Sequence, residues 1–260
     1  MIESKIILKT ADEIERMAKG GKLLRTVLEE VAAMVKPGIT GIELDKAAEQ
    51  KLLARGAEPA FKNYAPAGSD GNPFPATLCV SVNSAVVHGI PDDTPLKNGD
   101  IVSLDIGCLY DGLYTDTATS VGVGKISPEA KKLITVTKQS LEAGINVVRP
   151  NVTTGEIGGA VQKVAEKAGY SLVRELVGHG VGFAVHEAPN VPNYGRKGQG
   201  VSLPIGTVIA IEPMVNLGRK EISTADDGWT ILTEDGKLSA HEEVTVAVVF
   251  GGFRVLTTTK

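Results

Sequence analysis

Asp111-Gly112 separates two runs rich in Val, Ile, Leu, Tyr and Thr within residues 100–122, and this fixes what the centre of the chain can become. An Asp-Gly pair between strand-like runs is the strongest short-range signal for a two-residue hairpin turn of the primed type. The register then follows by counting. With Tyr110 opposite Leu113, Asp105 faces Ala118 and Asp116 lies two residues from Ala118, so both carboxylates share one face as diagonal neighbours. A slip of one residue would put them on opposite faces. Two carboxylates this close in a low-dielectric site repel, so one must hold a proton or both must share a cation.

A second constraint is repetition. Val35-Lys36-Pro37-Gly38-Ile39-Thr40 with Glu43-Leu44 matches Val148-Arg149-Pro150-Asn151-Val152-Thr153 with Glu156-Ile157 without a gap, and Gly56 falls in step with Gly169. In each copy a Thr followed three residues later by Glu is a capping box that opens a helix, and the glycine closes it. Each copy follows an amphipathic helix, one within Asp12 to Lys36 and one from Pro128 to Val147, and each is followed by strand-like segments. We read a duplicated half-domain, about 35–56 and 148–169, within one catalytic domain spanning residues 1–260.

Further acids and histidines stand in strand-like or glycine-rich stretches. Gly178-His179-Gly180-Val181-Gly182 and Val185-His186-Glu187 hold two histidines, Glu212 follows Ile209-Ala210-Ile211, and Glu242-Glu243 precedes Val244 to Val249. Alternation sends Glu242 and Glu243 to opposite faces, so only one can reach a shared site. Singly, each has a plainer reading: a turn histidine, a solvated strand end, or an acid guarding an edge strand. Together, Asp105, Asp116, His179, Glu212 and Glu243 offer four carboxylates and one imidazole, a hard donor set that favours Mn, Fe(II) or Co over a structural zinc. Two divalent ions would cancel the four charges; such pairs sit ~3.5–4 Å apart and activate water.

Other chemistries are poorly served. The sequence has no Gly-x-Ser-x-Gly elbow and no His-Glu-x-x-His helix, and Gly122-Val123-Gly124-Lys125 is followed by Ile126 where a phosphate loop needs Ser or Thr. A net charge of -4 gives no basic footprint for nucleic acid. Cys79 and Cys108 are not a CxxC pair and cannot make a disulfide scaffold, which suits a reducing compartment, and charges interrupt Met1 to Lys22, so neither a signal peptide nor a spanning helix is expected. A cytoplasmic location follows.

The residues resemble the type I methionine aminopeptidases. The resemblance runs through Val87-His88-Gly89-Ile90-Pro91, Leu104-Asp105-Ile106-Gly107, Tyr114-Thr115-Asp116-Thr117-Ala118, Gly178 to Gly182, His186-Glu187-Ala188-Pro189, Ile211-Glu212-Pro213-Met214 and Trp229-Thr230. It implies an α+β, pita-bread (creatinase/aminopeptidase) fold: pseudo-twofold halves with helices covering a curved antiparallel sheet. It also implies a monomer that removes initiator methionine from nascent polypeptides when the next residue is small, through metal-activated hydroxide attack on the first peptide bond. By resemblance, Asp105, Asp116, His179, Glu212 and Glu243 are ligands of two divalent ions (Co, Mn or Fe(II), with Zn or Ni as alternatives). Glu212 is the proton shuttle, His186 stabilises the oxyanion, and His88 holds the scissile amide. Tyr64, Phe74, Cys79 and Trp229 form the methionine pocket. Asn83, Ala85 and Ser239 match a monovalent-cation site for Na or K, and the ribosome surface is a candidate contact.

The chain departs from the family pattern in three places. His241-Glu242-Glu243-Val244 stands where the family has a polar residue, an aromatic, the ligand Glu and then His or Asp. The loop from Pro66 to Pro75 is longer than usual, and Val185 replaces a pocket aromatic. Two other readings compete: an Xaa-Pro peptidase of the same fold, and a non-catalytic binding member. The first usually carries an N-terminal domain for which Asp105 lies too early, and the second is opposed by the presence of all five ligands.

Overall fold

The structure, a computed structural model, describes residues 5–65 and 71–259. Pro66 to Asp70 of the Pro66–Pro75 loop, and Met1 to Ser4, lie outside the described residues. Among the described residues there are four helices: α1 (Ala11–Ala32), α2 (Gly41–Leu53), α3 (Pro128–Asn146) and α4 (Thr154–Lys167). Thr10 and Thr40 open α1 and α2 with reciprocal capping boxes to Glu13 and Glu43. In α4, Thr153 accepts the Glu156 amide, but the Glu156 carboxylate turns to Arg149 Nη2 at 2.9 Å, so the box expected there forms only by half. A guanidinium makes a charge-assisted bond roughly twice as strong as one from a neutral amide, and Arg149 outcompetes the cap. Gly56 and Gly169 sit at φ 73° and 87°, the left-handed closure that a side chain resists.

Nine antiparallel strands make the main sheet: β1 (Glu58–Pro59), β2 (Leu78–Val82), β3 (Ile101–Tyr110), β4 (Leu113–Gly122), β5 (Gly178–Gly180), β6 (Glu187–Val191), β7 (Val208–Ile211), β8 (Glu243–Val249) and β9 (Gly252–Val255). Their order is β1-β3-β4-β8-β7-β5-β6, with β2 also on β3 and β9 also on β8. The β3–β4 hairpin has the register obtained by counting: Tyr110 pairs with Leu113, Asp105 with Ala118 and Gly107 with Asp116. Its turn residues Asp111 and Gly112 both have positive φ, 50° and 75°, as a primed turn requires.

Each helix pair covers its own part of this sheet. Leu24 and Leu28 of α1 and Leu44 and Leu52 of α2 are fully buried in one apolar cluster with Leu78, Leu104 and Ile106. Leu133 of α3 and Ile157 and Val161 of α4 are buried in a separate cluster with Ile209, Ile211 and Val246. A fully buried side chain of this size contributes about 1.5–3 kcal/mol. The strands under both helix pairs meet where β4 pairs with β8, so the centre of the sheet lies between the two cores.

Candidate metal centre

Five adjacent strands deliver the candidate ligands. Asp105 comes from β3, Asp116 from β4, Glu243 opens β8, Glu212 follows β7 directly and His179 lies in β5. Ala118 is the pivot: it pairs with Asp105 on one side and Glu243 on the other, and Asp116 is two residues along on the same face. Its methyl leaves room for three carboxylates to converge. Ligand atoms of Asp116, His179 and Glu243 lie within 4.8 Å of one another, and Glu212 Oε1 is 3.4 Å from His179 Nε2. Glu242 goes to the other face, where it accepts the Ser120 amide at 2.9 Å and sits 3.6 Å from Lys138 Nζ.

The donors suit a cation. Asp105, Asp116, His179 and Glu243 are only 8, 4, 7 and 2% exposed. Asp105 Oδ1, Asp116 Oδ1 and Glu243 Oε1 are buried without a hydrogen bond. Buried acceptors of this kind carry a large desolvation penalty unless a proton or a cation meets them. His179 Nδ1 donates to the Gly180 carbonyl at 2.9 Å, which leaves the Nε2 lone pair facing the acids. Burial, with the facing His186, lowers its pKa to about 3, so it is the neutral, ligating form.

Burial pushes Asp105 up to about 7; burial and mutual repulsion push Asp116, Glu212 and Glu243 well above the usual carboxylate range. These folded pKa values exceed the unfolded ones, so between roughly pH 4 and pH 7 the acid cluster binds more protons in the folded chain and its contribution to stability falls as pH rises; the buried histidines, lowered in pKa, oppose this with fewer groups than the five raised acids of the region. Metal-free protein is expected to melt at a lower temperature at pH 8 than at pH 5, by calorimetry, with manganese reversing the order. A flat profile in the metal-free state would contradict this electrostatic account.

A cavity of about 250 Å³ opens over the acids and is also lined by Phe61, Tyr64, Phe74, Cys79, His88, His186 and Trp229. Phe74 packs edge-on to Trp229 at 5.3 Å between ring centroids, and the indole Nε1 donates to the Asn72 carbonyl at 3.1 Å. Trp229 therefore belongs to the cavity wall. It lies in a turn, since Asp227 takes the amides of both Trp229 and Thr230 at 2.8 Å, and the next strand begins at Ile231. Val185, the departure from the family pattern, is buried in the apolar cluster that holds Phe61, Phe74 and Cys79.

His88 has φ 57°, a left-handed conformation that non-glycine residues adopt at a cost and that clusters at functional positions. Burial lowers its pKa to about 4, so it acts as a neutral imidazole. His186 is held by Tyr64, whose hydroxyl is 2.7 Å from Nδ1, and its ring lies 4.3 Å from that of His179. Asn83, Ala85 and Ser239 are apart from this cavity. The Asn83 carbonyl accepts the Ser239 amide at 2.8 Å, the Asn83 amide group bonds Asp100 and Ile101, and Ala85 opens the short strand Ala85–Val87.

One residue of this region was not singled out as functional from the sequence. His241 is 1% exposed, neither ring nitrogen has a hydrogen-bond partner, and Nε2 is 3.8 Å from Glu212 Oε2, so Glu212 lies between two imidazoles. Period-two alternation from Glu243 would have put His241 on the same face.

The comparisons agree with this geometry. The profile of Metallopeptidase family M24 matches residues 15–249. A methionine aminopeptidase of Clostridium perfringens is 48% identical over 98% of this chain and 100% of its own length. Methionine aminopeptidase 1 of Bacillus subtilis is 44% identical over 97% of this chain and 99% of its own length. The crystal structure of methionine aminopeptidase from Rickettsia prowazekii superposes with a TM-score of 0.93 at 40% identity, covering 98% of this chain and 100% of that one. The prolidase of Pyrococcus furiosus, at 23% identity, shares the fold with a TM-score of 0.78, and this chain covers 66% of it. The α+β pita-bread architecture is thus common to all of them, and this chain belongs to metallopeptidase family M24.

Proposed function

We infer that the chain is a methionine aminopeptidase that removes N-terminal methionine from polypeptides when the second residue is small. The observation that carries this reading is the pairing of a buried, cation-seeking acid cluster with a cavity of about 250 Å³ walled by aromatic and apolar side chains. A thioether packs well against the aromatic edges of Phe74, Tyr64 and Trp229 and beside the Cys79 thiol. The names carried by the relatives support it independently. In the test, manganese-loaded protein is given Met-Ala-Ser and Ala-Pro-Ala peptides. Release of methionine alone is expected; cleavage next to proline without methionine release would favour the Xaa-Pro reading, and no turnover the non-catalytic one.

Asp105, Asp116, His179, Glu212 and Glu243 would hold two divalent ions (Co, Mn or Fe(II)), which supply Lewis acidity and a nucleophile from water at neutral pH. The remaining work falls to side chains. Glu212, set between His179 and His241, takes the proton released by the attacking water and passes it to the departing amine. With the Tyr64 hydroxyl 2.7 Å from His186 Nδ1, the tautomer in which the hydroxyl donates would leave Nε2–H to donate to the carbonyl oxygen as it gains charge. His88 holds the amide and the residue beyond it. His241→Leu is expected to weaken metal affinity about 10–100-fold while His241→Gln, which keeps a polar group facing Glu212, stays near the parent. Isothermal titration with manganese reads both, and equal affinities for Leu and Gln would remove His241 from the site.

The rest of the assignment is carried by expectation from sequence. The chain forms one catalytic domain over residues 1–260 built from duplicated halves, a view supported by the matched caps at Thr40 and Thr153 and by the two separate cores. Asn83, Ala85 and Ser239 would seat one Na or K ion. The enzyme would work in the cytoplasm as a monomer on nascent chains, with the ribosome surface as a candidate contact; among the described residues no helix is long and apolar enough to cross a membrane.

A further inference from the structure

Lys9 and Glu187 form an ion pair whose side chains are 1% and 4% exposed, and the catalytic reading uses neither residue. A buried pair of this kind is strongly destabilising when one partner is removed, because the other is left as an uncompensated charge. Lys9 Nζ also donates to the Ile7 carbonyl at 3.0 Å, and the Lys9 amide donates to the Gly206 carbonyl at 2.7 Å, so the lysine is held both at its ammonium and at its backbone. Across the pair, Glu187 Oε1 accepts the amides of Phe183 and Ala184, the second at 3.0 Å. The Phe183 ring lies over the ammonium, 5.4 Å from Nζ to centroid. Gly182, at φ 150°, passes so close to the lysine stem that any side chain there would collide with Lys9 Cε, and its carbonyl accepts the Tyr114 amide at 2.7 Å.

The stretch from Gly182 to Glu187 is therefore clasped at both ends, by β4 through Tyr114 and by Lys9 through Glu187. His186, the residue immediately before Glu187, is what the clasped loop presents to the cavity. We propose that Lys9 is a positioning residue for His186: by neutralising Glu187 it holds the 183–186 loop so that the imidazole meets the substrate carbonyl. With the ammonium gone, the Glu187 carboxylate turns toward water, the Phe183 and Ala184 amides lose their acceptor, and the imidazole drifts. The inference rests on the reading of His186 as a substrate contact.

The experiment uses the full manganese-loaded chain, the Met-Ala-Ser peptide and a double-mutant cycle. Lys9→Met is expected to lower kcat about 10–100-fold, the loss that a displacement of about 1 Å produces, with metal stoichiometry unchanged. Lys9→Met/His186→Ala should then be no slower than His186→Ala, because a residue that acts only through the imidazole has nothing left to act on. Glu187→Gln, which keeps the oxygen that accepts both loop amides and drops the charge, carries the same cycle if Lys9→Met does not fold. A Lys9→Met kcat within twofold of the parent, or losses that multiply in the double variant, would overturn the proposal while leaving the role of His186 intact. A His186→Ala variant as fast as the parent would instead remove the reading on which the proposal rests.

Discussion

Asp116→Ala is expected to strip the protein of metal and of activity in one step. Asp116 sits at the focus of the site: its carboxylate atoms lie within 4.8 Å of those of His179 and Glu243, and it is the diagonal neighbour of Asp105 on the hairpin face. Removing it deletes one of four negative charges and leaves the others without the geometry to hold a cation pair. The bound metal, measured by atomic absorption after desalting, should fall to at most half the parent's, and kcat/KM by about 10³-fold or more, the scale on which transition-state charge stabilisation operates. The same change relieves repulsion in the metal-free state, where Asp105 and Glu243 lose a like-charged neighbour. Metal-free Asp116→Ala should therefore melt at or above the temperature of the metal-free parent. Full metal occupancy in the variant would show that Asp116 is not a ligand.

His186→Ala should do the reverse, sparing the metal and cutting turnover. His186 is on the substrate side of the cavity, its Nδ1 taken by Tyr64, and it makes no bond to any of the five acidic or imidazole donors. Losing a single donor to a developing oxyanion typically lowers kcat by about 10²–10³, or about 2.7–4 kcal/mol. Metal stoichiometry and melting temperature should stay at the parent values, and KM should change much less than kcat. An emptied metal site in His186→Ala would mean that the division between ligands and substrate contacts is drawn in the wrong place.

The hairpin was legible because two short-range rules, the Asp-Gly turn and period-two alternation, suffice to bring Asp105 and Asp116 together. The helix starts were legible for the same reason, since Thr40 and Thr153 bond to amides only three residues away. What the sequence could not supply was the order of strands that are far apart in the chain. Nothing local states that β8 joins β4 and that β7 and β5 follow, and that order is what places Glu243, Glu212 and His179 beside the hairpin. Two side chains have neighbours that the motifs alone did not name. Glu156 left its cap for Arg149, and His241 lies behind Glu212 although the sequence marked it only as a departure from a pattern. The Lys9–Glu187 pair spans 178 positions and has no motif at all.

Because the five donors come from strands under both helix pairs, any bound ion would act as a rivet between the two cores. An opening of either core would expel the ion, so metal binding is linked to both openings at once. Amides in α1 and in α3, which pack in separate apolar clusters, should slow their hydrogen exchange together as manganese is added. A chelator would loosen both ends of the molecule even though it touches only the middle.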